Sequence, residues 1–207
     1  MDTPSQKSIE NFEDASRENE SAECTIRQFE RDQQQFRSMF SKLDKVQKGA
    51  WGERAVVNEA KNAGHRILLG HSENPTEQGF DCVSYELENN TLHIWEAKNF
   101  GETTSAVNSD KMTAWHDETK SGTKYADARE GYARNWKKIL DSTSTTTMRD
   151  AIKQSISDGR VIYHVRIGPD TRISGNYKNE LEAAQVPGST YDWKQYTYAD
   201  MLKSQHD

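Results

Sequence analysis

Apolar residues between about Ala22 and Gln47 recur at gaps of three, four and seven: Ile26, Phe29, Phe36, Met39, Phe40, Leu43, Val46. That spacing puts them on one stripe and predicts an amphipathic helix. Residues 1–22 show no sustained period and are expected to form a disordered or weakly helical acidic arm. Gly49 is expected to break or bend the helix. A second helix then runs from Ala50 to about Ala63, with Val56, Val57 and Ala60 inward and Gly64 as its stop. Beyond it the period changes. His65–His71 is short and apolar, Ser72–Gln78 is a loop holding Pro75, and Phe80–Leu87 alternates with a shift. Glu88-Asn89-Asn90 is hairpin-turn chemistry, and Thr91–Ala97 is the partner strand, with Leu92 and Ile94 inward. After a polar loop, Asn99–Asp110, helical spacing returns at Tyr125, Ala128, Tyr132, Ala133, Trp136, Ile139 and Leu140. A hydroxyl-rich linker, Ser142–Thr147, leads to a short helix, Met148–Ser157, and then to the strand Val161–Ile167. Leu181–Val186 has helical spacing, and the tail holds an aromatic cluster of Tyr191, Trp193, Tyr196 and Tyr198. The order is helix, three strands, helix, strand. It predicts a mixed α/β core at 48–168, an amphipathic helical extension at 23–47, and a C-terminal extension at 169–207 packing on the core.

Composition narrows the function classes. The chain has 207 residues, 33% hydrophobic and 29% charged, so the core has to be concentrated in part of it. No stretch approaches the roughly 18–20 apolar residues of a membrane span. Residues 1–30 lack the apolar region of a secretory signal. Two cysteines, Cys24 and Cys82, build neither a disulfide framework nor a zinc cage. The net charge of −6 disfavours nucleic-acid binding at first sight. Its distribution changes that. Residues 1–35 carry 4 basic and 9 acidic side chains, residues 36–110 carry 8 and 11, residues 111–178 carry 13 and 8, and residues 179–207 carry 2 and 5. A basic middle lies between an acidic head and tail, and such asymmetry is more informative than the mean.

Four residues stand out by position. Glu53 follows the Gly49-Ala50-Trp51-Gly52 break, in the expected first turn of the second helix. Asp81 opens one strand after Gly79-Phe80, and Glu96 and Lys98 close its hairpin partner in Trp95-Glu96-Ala97-Lys98. Residues two apart on a strand leave the same face. The hairpin brings Asp81 opposite the Glu96–Lys98 end. Carboxylate oxygens are hard ligands suited to Mg²⁺, which takes part of its shell from water and phosphate. A lysine beside the metal can orient or deprotonate a water and stabilise charge on phosphorus.

Gly-x-x-Gly-Glu on a helix, then Gly-Phe-Asp, then a hydrophobic Glu-x-Lys, resembles the PD-(D/E)xK nuclease superfamily. The likeness covers roughly residues 48–168, with Gly-Phe standing where the family has its proline. Gln78-Gly79-Phe80-Asp81 followed by Trp95-Glu96-Ala97-Lys98 is most similar to the restriction-endonuclease-type toxins at the C-termini of bacterial polymorphic toxins. The resemblance implies a restriction-endonuclease-like core of order α-β-β-β-α-β. It implies Asp81, Glu96 and Glu53 as metal ligands, Lys98 as the catalytic lysine, and a divalent metal, Mg²⁺ first with Mn²⁺ or Zn²⁺ as substitutes.

The expected function is metal-dependent hydrolysis of DNA by an antibacterial effector. The effector would be delivered by a secretion system into a bacterial cytoplasm and neutralised by a cognate immunity protein. An RNase or tRNase on the same scaffold, a repair or resolvase nuclease, and a non-enzymatic nucleic-acid-binding module are the alternatives. Lys111, Lys120, Lys124, Arg129 and Arg134, with Lys137 and Lys138, would meet phosphates, and Thr119–Thr123 would form a loop over the substrate. Cys82, His93 and His164 are expected to be core or supporting residues, Tyr132 and Trp136 to be core, and His65, His71 and His116 show no metal-ligand spacing.

Overall fold

A computed structural model describes residues 6–70, 79–98, 123–143, 145–169 and 190–203. The chain divides into two compact units, Met1–Lys42 and Leu43–Asp207. The first unit is dominated by one helix, α1 (Gln6–Ser41), so helix already begins within the expected acidic arm.

The second unit opens with α2 (Lys45–Asn62). The helix break therefore precedes Gly49, which lies inside α2. Asp44 is the reason: its side chain accepts from the Gln47 amide at 2.8 Å, and the Gln47 side chain accepts from the Asp44 amide at 3.0 Å. This capping box satisfies amides that a helix start leaves without partners. An interior glycine costs a helix only about 1 kcal/mol, too little to move the boundary. Glu53 accordingly sits more than two turns into α2 rather than in its first turn.

Among the described residues five strands follow in a mixed sheet of order β1-β2-β3-β4-β5. β1 (Arg66–Leu69), β2 (Cys82–Glu86) and β3 (Thr91–Lys98) are antiparallel neighbours. Among the described residues the next helices are α3 (Thr123–Ser142) and α4 (Thr146–Ser157). The chain then returns as β4 (Val161–Ile167), parallel to β3. Thr145 caps α4 by accepting from the Met148 amide at 3.3 Å. The aromatic tail was not expected to add a strand, yet β5 (Thr190–Gln195) pairs in parallel with β4 and α5 (Tyr198–Lys203) follows. Its polar alternation, Tyr191-Asp192-Trp193-Lys194-Gln195, suits a partly solvated strand better than a buried one. The expected loops at 72–78 and 99–110 and the helix at Leu181–Val186 lie outside the described residues.

The sheet has helices on both faces, and strand parity sorts the side chains between them. On one face Val83, Tyr85, Leu92, Ile94, Val165 and Ile167 pack with Ile139 of α3 and Met148 and Ile152 of α4. On the other, Cys82 and Trp95 pack with Val56 and Ala60 of α2. The second face is also polar. Arg166 of β4 is buried and donates to both carboxylate oxygens of Glu59, from Nη2 at 2.7 Å and from Nε at 2.9 Å. It also donates to Asp192 Oδ2 at 2.7 Å. The Tyr196 hydroxyl donates to Glu59 as well, so one guanidinium links α2 to β5.

A charge this buried depends on its partners. Although burial works against them, the Arg166 guanidinium holds both Glu59 and Asp192 below their ordinary values. Carboxyls with lowered folded pKa stabilise the fold above their unfolded values and lose that contribution as pH falls through the folded ones. Chemical unfolding of the wild type should therefore show stability falling with pH below about 4.5. Arg166→Ala should lose roughly 3 kcal/mol at pH 7, the low end for a broken buried pair because Glu59 and Asp192 are partly solvated, and should flatten that acid slope. A variant with wild-type stability and slope would exclude this role.

Candidate active site

The site is built on the β2–β3 hairpin. Cys82 pairs with Trp95 and Glu86 with Thr91, so continuing the ladder by one residue sets Asp81 opposite Glu96. The four-residue connection closes through Asn90 at φ 51, a left-handed conformation that asparagine tolerates. Asn90 is also tied down from outside. Its carbonyl accepts from Ser155 Oγ at 2.7 Å and from Arg160 Nε at 3.1 Å.

At the far end of the hairpin Asp81 is half-buried, and its Oδ2 accepts from the Ala97 amide at 2.6 Å. That bond spans the two strands and holds the carboxylate beside β3. The side chain of Glu96 is almost fully buried, and its Oε1 pairs with the Lys98 ammonium. One oxygen of each carboxylate is thus used for positioning, while Asp81 Oδ1 and Glu96 Oε2 remain for a ligand. Glu53 of α2 is half-buried, and its charge acts on both Asp81 and Lys98. Burial, reinforced by Glu96 and Glu53, drives the Asp81 carboxyl well above the usual carboxylate range, against the pull of Lys98 and the Ala97 amide. Burial pulls Lys98 the other way, but Glu96, Asp81 and Glu53 together carry it above its ordinary value, so it remains an ammonium.

Three carboxylates and one ammonium in a buried site leave a surplus of negative charge, which a divalent cation relieves. The donors are all hard oxygens and fit Mg²⁺ or Mn²⁺ better than Zn²⁺. The fit rests on Asp81 and Glu96. Among the described residues, the donor atoms of Asp81, Glu96 and Glu53 do not converge as a trio; the trio within 4.8 Å of one another is His65, Glu86 and His93. Lys98 supplies part of the reason, because its ammonium already occupies one side of Glu96.

One positioning residue, Asn135, belongs to no motif. Asn135 of α3 accepts the Phe80 amide on Oδ1 at 2.7 Å, fixing the residue that precedes Asp81. Gly79 lies directly against the same side chain, where a Cβ would stand 2.8 Å from Asn135 Cγ. Phe80 meets the Trp136 ring edge-on at 5.6 Å, in agreement with a core role for Trp136. The signal for Asn135 was a polar residue on the apolar stripe of its helix, three after Tyr132 and four before Ile139.

The basic residues are less gathered. Lys124, Arg129 and Arg134 all belong to α3, while Lys111 and Lys120, with most of the expected Thr119–Thr123 loop, lie outside the described residues. Arg134 is exposed and pairs with Glu130 at 2.7 Å, one turn earlier, so its charge is already partly matched. Cys82, beside Asp81, is a buried thiol pushed up to about 12 by burial and by Asp81, which leaves it inert at neutral pH. His71 and His116 lie outside the described residues. His65 faces His93, its ring centroid 4.1 Å away, a proximity that sequence spacing did not reveal.

Comparison with protein-family models, curated proteins and solved structures found no match to this chain.

The Gly79–Asn135 contact carries its own test. Gly79→Ala should destabilise the fold by roughly 1–3 kcal/mol through overpacking, measured by urea unfolding. Pairing it with Asn135→Ala, which removes the obstructing carboxamide, should cost less than the sum of the two single changes. Strict additivity would refute the contact.

Proposed function

We propose that the chain is a metal-dependent nuclease that hydrolyses phosphodiester bonds, with DNA as the first substrate. One observation carries this reading. Asp81, Glu96 and Lys98 meet at one end of the β2–β3 hairpin, with one oxygen of each carboxylate positioned by the protein and the other left for a ligand. Glu53, whose charge reaches both Asp81 and Lys98, adds to the same acidic environment.

In this reading Asp81 and Glu96 would hold a divalent cation. Such a cation supplies neutralisation of phosphate charge and a bound water of lowered pKa. Lys98 places a fixed positive charge beside the reacting phosphate, where charge builds up during displacement. The Ala97 amide keeps Asp81 from turning away, and Asn135 holds the backbone from which Asp81 projects. Glu53 acts through the field at the site rather than as a ligand. The basic residues of α3 give salt-dependent affinity for the phosphate backbone. The PD-(D/E)xK resemblance and the antibacterial effector role with its immunity protein rest on the quoted motifs. Among the described residues no helix is long and apolar enough to cross a membrane.

The test is cleavage of plasmid DNA and of total RNA by the purified chain, with Mg²⁺ or with EDTA. Metal-dependent DNA cleavage should fall by at least about 10²-fold in Lys98→Ala and in Asp81→Ala, with both variants folded by circular dichroism. Cleavage of RNA with intact plasmid moves the substrate to RNA. Binding without cleavage of either would exclude an enzyme.

A further inference from the structure

The second cluster of metal-ligating side chains lies at the other end of the hairpin. His65 sits just ahead of β1, Glu86 ends β2, and His93 belongs to β3. Arg66 pairs with Tyr85, and Ser84 pairs with His93. Continuing the β1 ladder by one residue therefore sets His65 opposite Glu86. All three side chains then leave the sheet on the α2 face, and each offers a donor atom within 4.8 Å of the other two.

The hydrogen-bond chain behind His93 fixes which of its nitrogens carries a proton. Arg166 Nη2 donates to Glu59 Oε1 at 2.7 Å and to Asp192 Oδ2 at 2.7 Å, with a longer contact of 3.3 Å to His164 Nδ1, and the Asp192 carboxylate can only accept. The 2.8 Å contact between Asp192 Oδ2 and His164 Nδ1 therefore needs its proton from the imidazole. In a neutral His164 with Nδ1 protonated, Nε2 is the acceptor of the next contact, so His93 Nδ1 donates to it at 2.8 Å. The remaining nitrogen of a neutral His93, Nε2, then presents a lone pair to Glu86 Oε2 at 3.4 Å. Two acceptors face each other. A doubly protonated His93 would pair with Glu86 as an ion, but charge-assisted N–H···O bonds run nearer 2.7–2.9 Å. A tetrahedral ion holding a nitrogen and an oxygen at about 2.0–2.2 Å separates them by roughly 3.3 Å. The observed 3.4 Å gap is longer than a charge-assisted hydrogen bond and matches the spacing of two ligands on one cation.

We propose that His65, Glu86 and His93 bind a zinc-class transition-metal ion, at a site separate from the Asp81–Glu96 carboxylates. Two imidazoles and one carboxylate suit Zn²⁺ and discriminate against Mg²⁺, which prefers oxygen. The supporting groups have the arrangement that metal-binding histidines need. His93 is oriented through His164 to Asp192, a histidine-carboxylate relay, and His65 Nδ1 lies 3.2 Å from Ser84 Oγ. Ser84 is itself fixed by the Trp95 indole N–H at 2.8 Å. His65 and Glu86 are partly exposed, so solvent can supply the fourth ligand. The ion would join β1, β2 and β3 and relieve the opposed lone pairs of His93 and Glu86.

The test uses the full chain without a histidine tag, stripped with EDTA, dialysed, and titrated with Co²⁺ in excess Mg²⁺. The wild type should take up one Co²⁺ per chain with visible absorption typical of imidazole ligation in a four-coordinate site, and Zn²⁺ should displace it. The double variant Asp81→Asn/Glu96→Gln should bind equally well, which separates this site from the proposed catalytic one. His65→Ala and Glu86→Gln should each weaken binding at least ~10-fold, with unfolding in EDTA still cooperative. Because both side chains are partly exposed, they keep the test valid even if the buried His93→Gln fails to fold. Absence of Co²⁺ uptake by the wild type, unchanged affinity in His65→Ala and Glu86→Gln, or loss of binding in the carboxylate variant would each overturn the proposal.

Discussion

The register of β2 against β3 is the constraint on which the rest of the second unit depends. Cys82 lies opposite Trp95 and Ser84 opposite His93, and a slip of one residue would exchange the two faces of the sheet. Tyr85 and Ile94 would then meet α2, and the ladder would no longer bring Asp81 opposite Glu96. The register is held at both ends. Asn90 accepts from Ser155 and Arg160 at the turn, and the Asp81 carboxylate accepts from Ala97 at the open end. Apolar pairing between those ends supplies the penalty against slippage.

The two faces of the sheet divide the work. One is a continuous apolar layer against α3 and α4. The other mixes a small apolar patch with a polar chain running from Glu86 through His93, His164, Asp192 and Arg166 to Glu59 and Tyr196. Trp95 lies within that chain, stacked on the His164 ring at 3.7 Å and 5.3 Å from the Arg166 guanidinium. A polar network in a buried layer stabilises only when its members are satisfied. This one is satisfied through Arg166 at one end, and at the other His93 Nε2 stands 3.4 Å from Glu86 Oε2.

Much of the second unit was legible in the residues. Val161–Ile167 was expected as a strand and is β4, because seven residues rich in β-branched side chains are strongly biased to extended structure. The hairpin was legible from its alternation and turn chemistry. Helix boundaries were less so. Gly49 looked like a break, but the capping pair Asp44 and Gln47 decides where α2 begins. β5 escaped because Tyr191, Asp192, Trp193 and Lys194 carry little apolar signal, and pairing with β4 is what makes them a strand. Asn135, Glu59 and Arg166 left only the faint mark of a polar residue on an otherwise apolar stripe.

The linear order of residues by itself determined the mixed α/β class, the β2–β3 hairpin and the grouping of Asp81, Glu96 and Lys98, because strand period and hairpin geometry act over short separations. Tertiary structure alone decided the rest. It set Asn135 against Gly79 across fifty-odd residues, joined Glu59 to Arg166 through a separation of 107, and brought His65 to His93. Such contacts depend on which helix covers which face of the sheet, and no local periodicity encodes that choice.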